Sequence, residues 1–208
     1  MRKYITEFIG TFFLVFTVGM TVIGGKGDFA PLAIGAALMV MVFAGGHISG
    51  AHYNPAVTLA VLVRGKINMA DAIPYWISQF LGACAAAGVV TFFMGDQMPA
   101  IPHEMFSSSR GLLAEFLGTF ALAFVVLNVA TAKGSVGNSF YGLSIGFTVL
   151  AMAYATGAFA AAFNPAVAIG AGLMKMGAWS YLWVHLLGEI GGAALAAVVF
   201  KICNPDDK

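Results

Sequence analysis

Charged side chains are scarce in this chain. Asp, Glu, Lys and Arg together make up 9% of the 208 residues, whereas hydrophobic residues make up 60%. A soluble domain carries about 25% charged residues, so this chain lacks the polar surface that keeps a folded body in water. We therefore expect the lipid bilayer to be its solvent. At roughly 20 residues a crossing plus the connecting loops, its length allows about six spans.

Several functional signatures are also missing. The net charge is only +1 and no basic run occurs, which argues against a nucleic-acid partner. The two cysteines, Cys84 and Cys203, fall in an apolar span and in the C-terminal tail, so we expect free thiols. No zinc-ligand spacing, nucleophile–base pair or phosphate-binding loop is present. The sequence thus predicts no enzyme, no cofactor and no metal site.

The chain contains apolar stretches of two lengths. Two of them, 55–63 and 165–174, are about half a bilayer long, because ten helical residues cover about 15 Å. Such helices cannot span alone, but two can enter from opposite faces and meet at the midplane. The remaining six are full-length and occupy residues 5–24, 31–49, 72–93, 112–130, 140–158 and 179–201.

Each half-length stretch begins with the tripeptide Asn-Pro-Ala, and the two copies lie 110 residues apart. The segments 6–12 and 114–120 also match, as do 79–83 and 189–193. Three spans per repeat is an odd number, so the second copy must run inverted, with the functional site at the repeat interface. We predict one transmembrane domain, 1–208, with inverted repeats at approximately 1–95 and 110–203. The two tripeptides are Asn54, Pro55, Ala56 and Asn164, Pro165, Ala166.

The tripeptide is a compact helix start. Asn is a strong N-cap, and Pro is favoured at the first helical position. The Asn carbonyl oxygen can cap the helix, which leaves its NH2 group to donate into a lumen. Two helix N-termini at one midplane spot form a positive centre that opposes cations and proton relay. The extended strands before each Asn should offer backbone carbonyls along the file, from Gly50, Ala51, His52, Tyr53, Ala160, Ala162 and Phe163.

At these residues the chain resembles the aquaporin, or major intrinsic protein, family. The run 43–58, FAGGHISGAHYNPAVT, is close to the family pattern, and so are the glutamate-containing starts of spans one and four. The resemblance implies an all-α membrane fold: an hourglass of six transmembrane helices and two re-entrant half-helices. It also implies a homotetramer with one pore per subunit, conducting water or small neutral solutes.

The family sets selectivity at a narrow outer ring, and motif positions carry that ring to Phe43, Met152, Ala161 and Val167. Water-selective members usually have arginine where this chain has Val167, and glycerol-conducting members place aspartate where it has Ala168. An apolar ring follows. We expect a channel for small neutral solutes, such as polyols, urea or dissolved gases, with water as a lesser permeant.

Lone polar residues within the spans allow two interpretations each. Glu7 and Glu115 could relay protons, but we favour hydrogen bonds that brace the re-entrant loops. His47 is assigned to loop bracing or to a cytoplasmic gate. His185 and Glu189, four residues apart, form either a pH-sensitive pair in the pore wall or a helix-packing hydrogen bond, and the packing role is favoured.

Positive charges predict the orientation. With both termini cytoplasmic, seven Lys and Arg residues lie inside and three outside, so we expect a multi-pass protein of the plasma or inner membrane. The longest connection, residues 95–110, contains Pro99, Pro102 and His103 and is expected to cover the outer mouth.

Three alternatives stay open. The first is a water-selective aquaporin. The second is a secondary transporter, for which Glu189 is the unpaired midplane carboxylate. The third is a non-conducting structural membrane protein, whose apolar ring closes the pore by dewetting.

Overall fold

The computed structural model describes residues 1–99 and 107–207, and within these ranges the chain is helical with no strand. Pro102 and His103, which we assigned to the outer mouth, lie outside the described residues. A π-helical turn, Leu127–Thr131, extends the fifth helix. The α-helices are α1 Arg2–Ile23, α2 Ala30–Ser49, α3 Pro55–Arg64, α4 Met69–Met94, α5 Ser108–Val126, α6 Tyr141–Thr156, α7 Pro165–Leu173 and α8 Leu182–Cys203.

Five of the described helical segments are long and apolar enough to cross a membrane, and they contain α1, α2, α4, α5 and α8. The sixth span, expected at 140–158, is shorter: α6 has 16 residues, or about 24 Å of helix. It ends early because the carbonyl of Thr156 accepts hydrogen bonds from the N–H groups of Phe159 and Ala160, at 2.8 and 3.2 Å. These bonds turn the chain toward the second re-entrant loop.

The helix contacts repeat when the two halves of the chain are exchanged. Helix α1 packs on α4 as α5 packs on α8, and α3 packs on α8 as α7 packs on α4. Helices α2 and α6 pack on each other, and the half-helices α3 and α7 also touch. These pairings fit an inverted duplication, while the boundaries 1–95 and 110–203 stay a prediction.

Two buried aromatic rings fix the re-entrant loops against the long helices. Tyr53 and Phe163 are each 1% exposed, and each has the left-handed backbone, with φ of 50°. The Tyr53 ring lies against Gly10 of α1, and the Phe163 ring lies against Gly118 of α5. A side chain at either glycine would overlap the ring, so the close approach requires glycine at both places.

The C-terminal tail ties together the ends of three segments. Asp207 accepts a hydrogen bond from Arg64, at the end of α3, at 2.6 Å, and another from the N–H of Lys133, at 2.7 Å. The Arg64 guanidinium also lies 4.7 Å from the centre of the Phe200 ring on α8. This cation–π contact and ion pair hold α3, α8 and the α5–α6 connection in one arrangement.

We expect Asp207→Asn to lower Tm by roughly 2–4 °C at neutral pH. The N–H of Lys133, followed by the charges of Arg64, Lys133 and Lys66, holds the pKa of Asp207 below its usual range. Because the pKa is lowered in the folded state, the carboxylate stabilises the fold above its ordinary pKa. That stabilisation is lost as pH falls through the lowered value.

Thermal unfolding of the detergent-solubilised protein between pH 7 and pH 3 checks this expectation. The difference between parent and variant should shrink toward zero at the acid end. Asp206→Asn is the control, because the tail uses the backbone carbonyl of Asp206 and not its side chain. An equal loss in both variants would contradict the assignment.

Candidate functional site

The two Asn-Pro-Ala segments begin the half-helices with side-chain caps. Oδ1 of Asn54 accepts hydrogen bonds from the N–H groups of Ala56 and Val57, at 2.8 and 3.3 Å. Oδ1 of Asn164 accepts one from Ala166 at 2.9 Å. Both asparagines have extended backbone, and proline follows each at the first helical position. Each cap therefore satisfies backbone donors that would otherwise be unpaired.

The same two asparagines also join the halves. Nδ2 of Asn54 donates to the carbonyl of Phe163 at 2.8 Å, and Nδ2 of Asn164 donates to the carbonyl of Tyr53 at 2.9 Å. We expected both NH2 groups to serve the lumen, and both carbonyls to serve as acceptors along the file. The structure instead commits one N–H of each amide to the opposite loop. The second N–H of each NH2 group is the one left for a permeant.

Glu7 of α1 holds the first re-entrant loop. Its carboxylate accepts hydrogen bonds from the N–H groups of His52 and Tyr53, at 3.0 and 2.7 Å. It also accepts bonds from Oγ of Ser49, at 2.7 Å, and from Nε2 of Gln79, at 2.8 Å. Glu7 is fully buried. Its charge is thus balanced by four donors, which is the condition for a stable buried carboxylate.

Glu115 and Glu189 hold the second loop between them. The Glu115 carboxylate accepts from the N–H groups of Ala162 and Phe163, at 2.9 and 2.7 Å, and from Nδ1 of His185 at 2.8 Å. Oε1 of Glu189 accepts from the N–H of Asn164 at 2.9 Å. We expected His185 to pair with Glu189; the structure places its Nδ1 against Glu115, and the ligand atoms of all three residues lie within 4.8 Å of one another.

A cavity of about 410 Å³ contains both asparagines and opens beside the second loop. Ala161 and Val167 line it, as the resemblance implied. Its wall is largely apolar, and among the described lining residues there is no Lys or Arg. The side chains that α2 and α6 contribute include Ile34, Leu38, Val149 and Ala153.

A second cavity, of about 910 Å³, lies beside the first loop and the α5–α6 connection. The two cavities share His52 and Val126, so they meet between those residues. Nδ1 of His52 lies 3.0 Å from Oγ1 of Thr58, and its ring packs edge-on against Tyr75. This fixed imidazole and the side chain of Val126 line the place where the two cavities meet.

The structure places two of the four expected ring residues elsewhere. Phe43 lies near the other end of α2, where it packs against Tyr141 with ring centres 5.2 Å apart, and it is 40% exposed. Met152 packs against the hydrophobic core and does not line the cavity. Instead, Ile34 occupies the wall on α2.

The sequence carried a signal for this wall. In α2, residues 30, 34 and 38 lie four apart and form one face of a helix, and all three line the cavity. Phe43 does not continue that row. Residues 149 and 153 form the matching row on α6. Following this row of residues along α2 would therefore have placed Ile34, and not Phe43, in the cavity wall.

Most of the remaining residues predicted to line the pore lie beside the two cavities, whereas Phe163 lines neither. Ala51, His52, Tyr53, Ala160 and Ala162 line the first. His47 is exposed and, like Gly50, lines the second. Ser49, Tyr75 and Gln79 brace the first loop in addition to Glu7: Tyr75 donates to the carbonyl of Ser49 at 2.7 Å. Sequence reasoning missed these donors because single polar residues in apolar spans carry no pattern.

Two half-helices meeting end to end inside a bundle of apolar helices, with a cavity on either side of their junction, define a membrane channel. Residues 1–200 match the description "Major intrinsic protein", and the chain belongs to that family. It is a channel for water and small neutral solutes and not an enzyme.

Similar proteins come from bacteria, plants and a parasite. A glycerol uptake facilitator protein-like 6 of Lactiplantibacillus plantarum is 39% identical over the full length of both chains. Aquaporin NIP1-1 of Zea mays is 36% identical over the whole of this chain and 77% of its own length. An aquaglyceroporin of Plasmodium falciparum has a similar fold, with a TM-score of 0.82 and 21% identity over 98% of this chain and 97% of its own.

We expect Glu7→Gln to lower the free energy of unfolding by about 2–4 kcal/mol, because the amide presents donors to buried N–H groups that need an acceptor. A lower Tm in detergent checks this. Thr11→Val is the control: Thr11 is buried one turn along α1, and its Oγ1 has no hydrogen-bond partner among the described residues. Its Tm should stay near that of the parent. Equal effects of the two substitutions would argue against the anchoring role.

Proposed function

We propose that this channel passes small neutral solutes, glycerol-like polyols and urea among them, with water as a lesser permeant. The observation that carries the proposal is the wall around Val167. This residue is buried in the first turn of α7 and lines the first cavity, opposite the apolar row of α2. Ala161, in the loop that precedes α7, also lines this cavity, and its small side chain leaves space there for a permeant.

The missing cation decides how a permeant is held. An arginine at position 167 would offer a fixed charge and several N–H donors. These groups would hydrogen-bond water in the passage and would also narrow it. Ala161, Ile34 and Val167 offer neither. A permeant with carbon–hydrogen surface loses less hydration on entering such a wall than water does. Polyols, urea and uncharged gases therefore gain relative to water.

Ions are opposed at the junction of the half-helices. The N-termini of α3 and α7 point at one place, and each carries about half a positive charge. The remaining N–H groups of Asn54 and Asn164 add donors there. An oxygen of a permeant can accept both, whereas a cation meets the positive ends of both half-helices at the junction. This barrier to ions lies at the half-helix junction, apart from the wall residues Ile34, Ala161 and Val167 that select among neutral solutes.

The relatives support this choice of solute. The bacterial relative, 39% identical over its full length, is described as a glycerol uptake facilitator-like protein. The plant relatives are described as aquaporins, at 36% identity. The second group keeps a water-selective channel as the competing outcome of the experiments below.

We also propose that the channel is a homotetramer in the plasma or inner membrane, with both termini cytoplasmic. Large apolar side chains stay exposed on α2 and α6, and Leu32, Val40, Leu143 and Phe147 are each more than 40% exposed. Such surface suits lipid or neighbouring copies. Native mass spectrometry gives the copy number, and a monomer alone would contradict the tetramer. Labelling of a C-terminal tag from outside intact cells would contradict the orientation.

We expect Val167→Arg to reduce glycerol flux at least tenfold while water flux falls by less than threefold, because the guanidinium fills the wall and hydrogen-bonds water. Stopped-flow light scattering of proteoliposomes measures both fluxes. Val167→Met is the matched control, since it adds length without charge and should reduce both fluxes together. A parent channel with high water permeability and no solute flux would overturn the proposal.

The position of the wall is tested on α2. We expect Ile34→Phe to lower glycerol flux several-fold, since the larger ring projects into the first cavity. Phe43→Leu should leave the flux per channel unchanged, because Phe43 lies near the other end of the helix. The same light-scattering assay, normalised to reconstituted protein, compares them. A loss confined to the Phe43 variant would restore the original ring assignment.

A further inference from the structure

The two halves differ at one matched pair of residues beneath the re-entrant loops. In the first half, Nε2 of Gln79 donates to Glu7 at 2.8 Å and to Oγ1 of Thr58 at 2.9 Å. The second half has Glu189 at the place of Gln79, and Ala168 at the place of Thr58. A carboxylate thus replaces the amide donor, and the hydroxyl group is lost as well.

As a result, the second half has two neighbouring carboxylates, Glu115 and Glu189, where the first half has one carboxylate and one amide. Glu115, His185 and Glu189 each offer one ligand atom, and these atoms lie within 4.8 Å of one another. Both carboxylates are fully buried. Two carboxylates this close in an apolar interior repel each other unless a cation or a proton lies between them.

Among the residues that the structure describes, one carboxylate oxygen of this cluster has no hydrogen-bond donor. Oε1 of Glu189 accepts the N–H of Asn164 at 2.9 Å, whereas Oε2 has no hydrogen-bond partner among the residues described. A fully buried oxygen without a partner is costly. The oxygen is therefore available to a ligand that carries positive charge.

The imidazole connects the cluster to the cavity. His185 lines the first cavity, and its side chain is 20% exposed, in contrast to the 0% of Glu115. It lies one turn before Glu189 on α8, so both side chains project from the same face. A solute in the cavity reaches the carboxylates past His185.

We propose that Glu115, His185 and Glu189 form a binding site for a borderline divalent transition metal such as Zn²⁺, loaded from the first cavity. One imidazole nitrogen and two carboxylate oxygens, with water completing the coordination, suit Zn²⁺, Co²⁺ and Ni²⁺. Mg²⁺ and Ca²⁺ prefer oxygen ligands alone. The metal replaces the proton between Nδ1 of His185 and Oε1 of Glu115.

The anchoring role of Glu115 is compatible with this site. A carboxylate has about four lone-pair positions, and the N–H groups of Ala162 and Phe163 use two of them. The matched residues of the first half, Glu7, Tyr75 and Gln79, supply one carboxylate and no imidazole. Among the described residues, the second half therefore offers such a site and the matched residues of the first half do not.

Binding to the purified full-length chain tests the proposal, with Co²⁺ as the spectroscopic probe. The background carries Cys84→Ser and Cys203→Ser and no histidine tag, because thiols and tags bind the same metals. We expect one Co²⁺ per chain, with visible absorption that Zn²⁺ abolishes and Mg²⁺ does not. Glu189→Gln and His185→Gln should each weaken binding at least tenfold, while the exposed His47→Ala should bind as the parent does.

Glu189→Gln is a suitable variant because the first half already holds glutamine at the matched place, and an unchanged Tm establishes that it folds. Absence of stoichiometric Co²⁺ from the folded parent overturns the proposal, as does equal binding by Glu189→Gln. A glycerol flux that varies with pH, without any metal binding, means that a proton occupies the cluster, and it overturns the proposal too.

Flux supplies a second readout. A doubly charged ion beside Asn164 alters the wall of the first cavity, so we expect Zn²⁺ to lower glycerol flux in parent proteoliposomes at least threefold and to leave Glu189→Gln unaffected. This readout rests on the proposed function, whereas Co²⁺ binding does not. Bound Co²⁺ in a parent that conducts nothing upholds the site and rejects the solute channel.

Discussion

The structure depends on supplying hydrogen-bond partners to backbone that leaves the helix in the middle of a membrane. Lipid cannot pair those N–H groups, and each one that is buried without a partner is costly. Glu7 supplies the acceptors to the first loop, and Glu115 and Glu189 supply them to the second. Once the loops are fixed, the half-helices have only one place to begin. The buried Tyr53 and Phe163 rings then hold the loops against α1 and α5.

Two functions follow from this frame and are carried by different residues. In the proposed function, the helix starts at Asn54 and Asn164 set the barrier to charge, and both halves carry the same tripeptide. The wall formed by Ile34, Ala161 and Val167 is proposed to set the preference among neutral molecules. A channel of this design can change its solute by substituting wall residues, because the caps and anchors that maintain the fold are elsewhere.

The fold could be predicted from sequence because its signals are repeated. Two Asn-Pro-Ala caps, two half-length apolar stretches and two matching glutamates support one another, and the half-helices begin at the predicted prolines. The wall could not be placed by motif distance alone, since Phe43 lies nine residues along α2 from Ile34, near the other end of the helix. The contact between His185 and Glu115 joins residues 70 apart, and only the packing of α5 on α8 brings them together.

The crossed amide bonds have a consequence for synthesis. Asn54 is synthesised early, but the carbonyl that its amide binds, that of Phe163, lies 109 residues later in the chain. The carbonyl of Tyr53 likewise lacks its partner until Asn164, 111 residues later, has been synthesised. The N-terminal half thus leaves the ribosome with its central bonds unmade. Its re-entrant loop must remain in the translocon or in lipid without these bonds until the second half has been synthesised. The centre can close only after residue 164 has been synthesised, so a chain arrested earlier lacks the junction of the two half-helices.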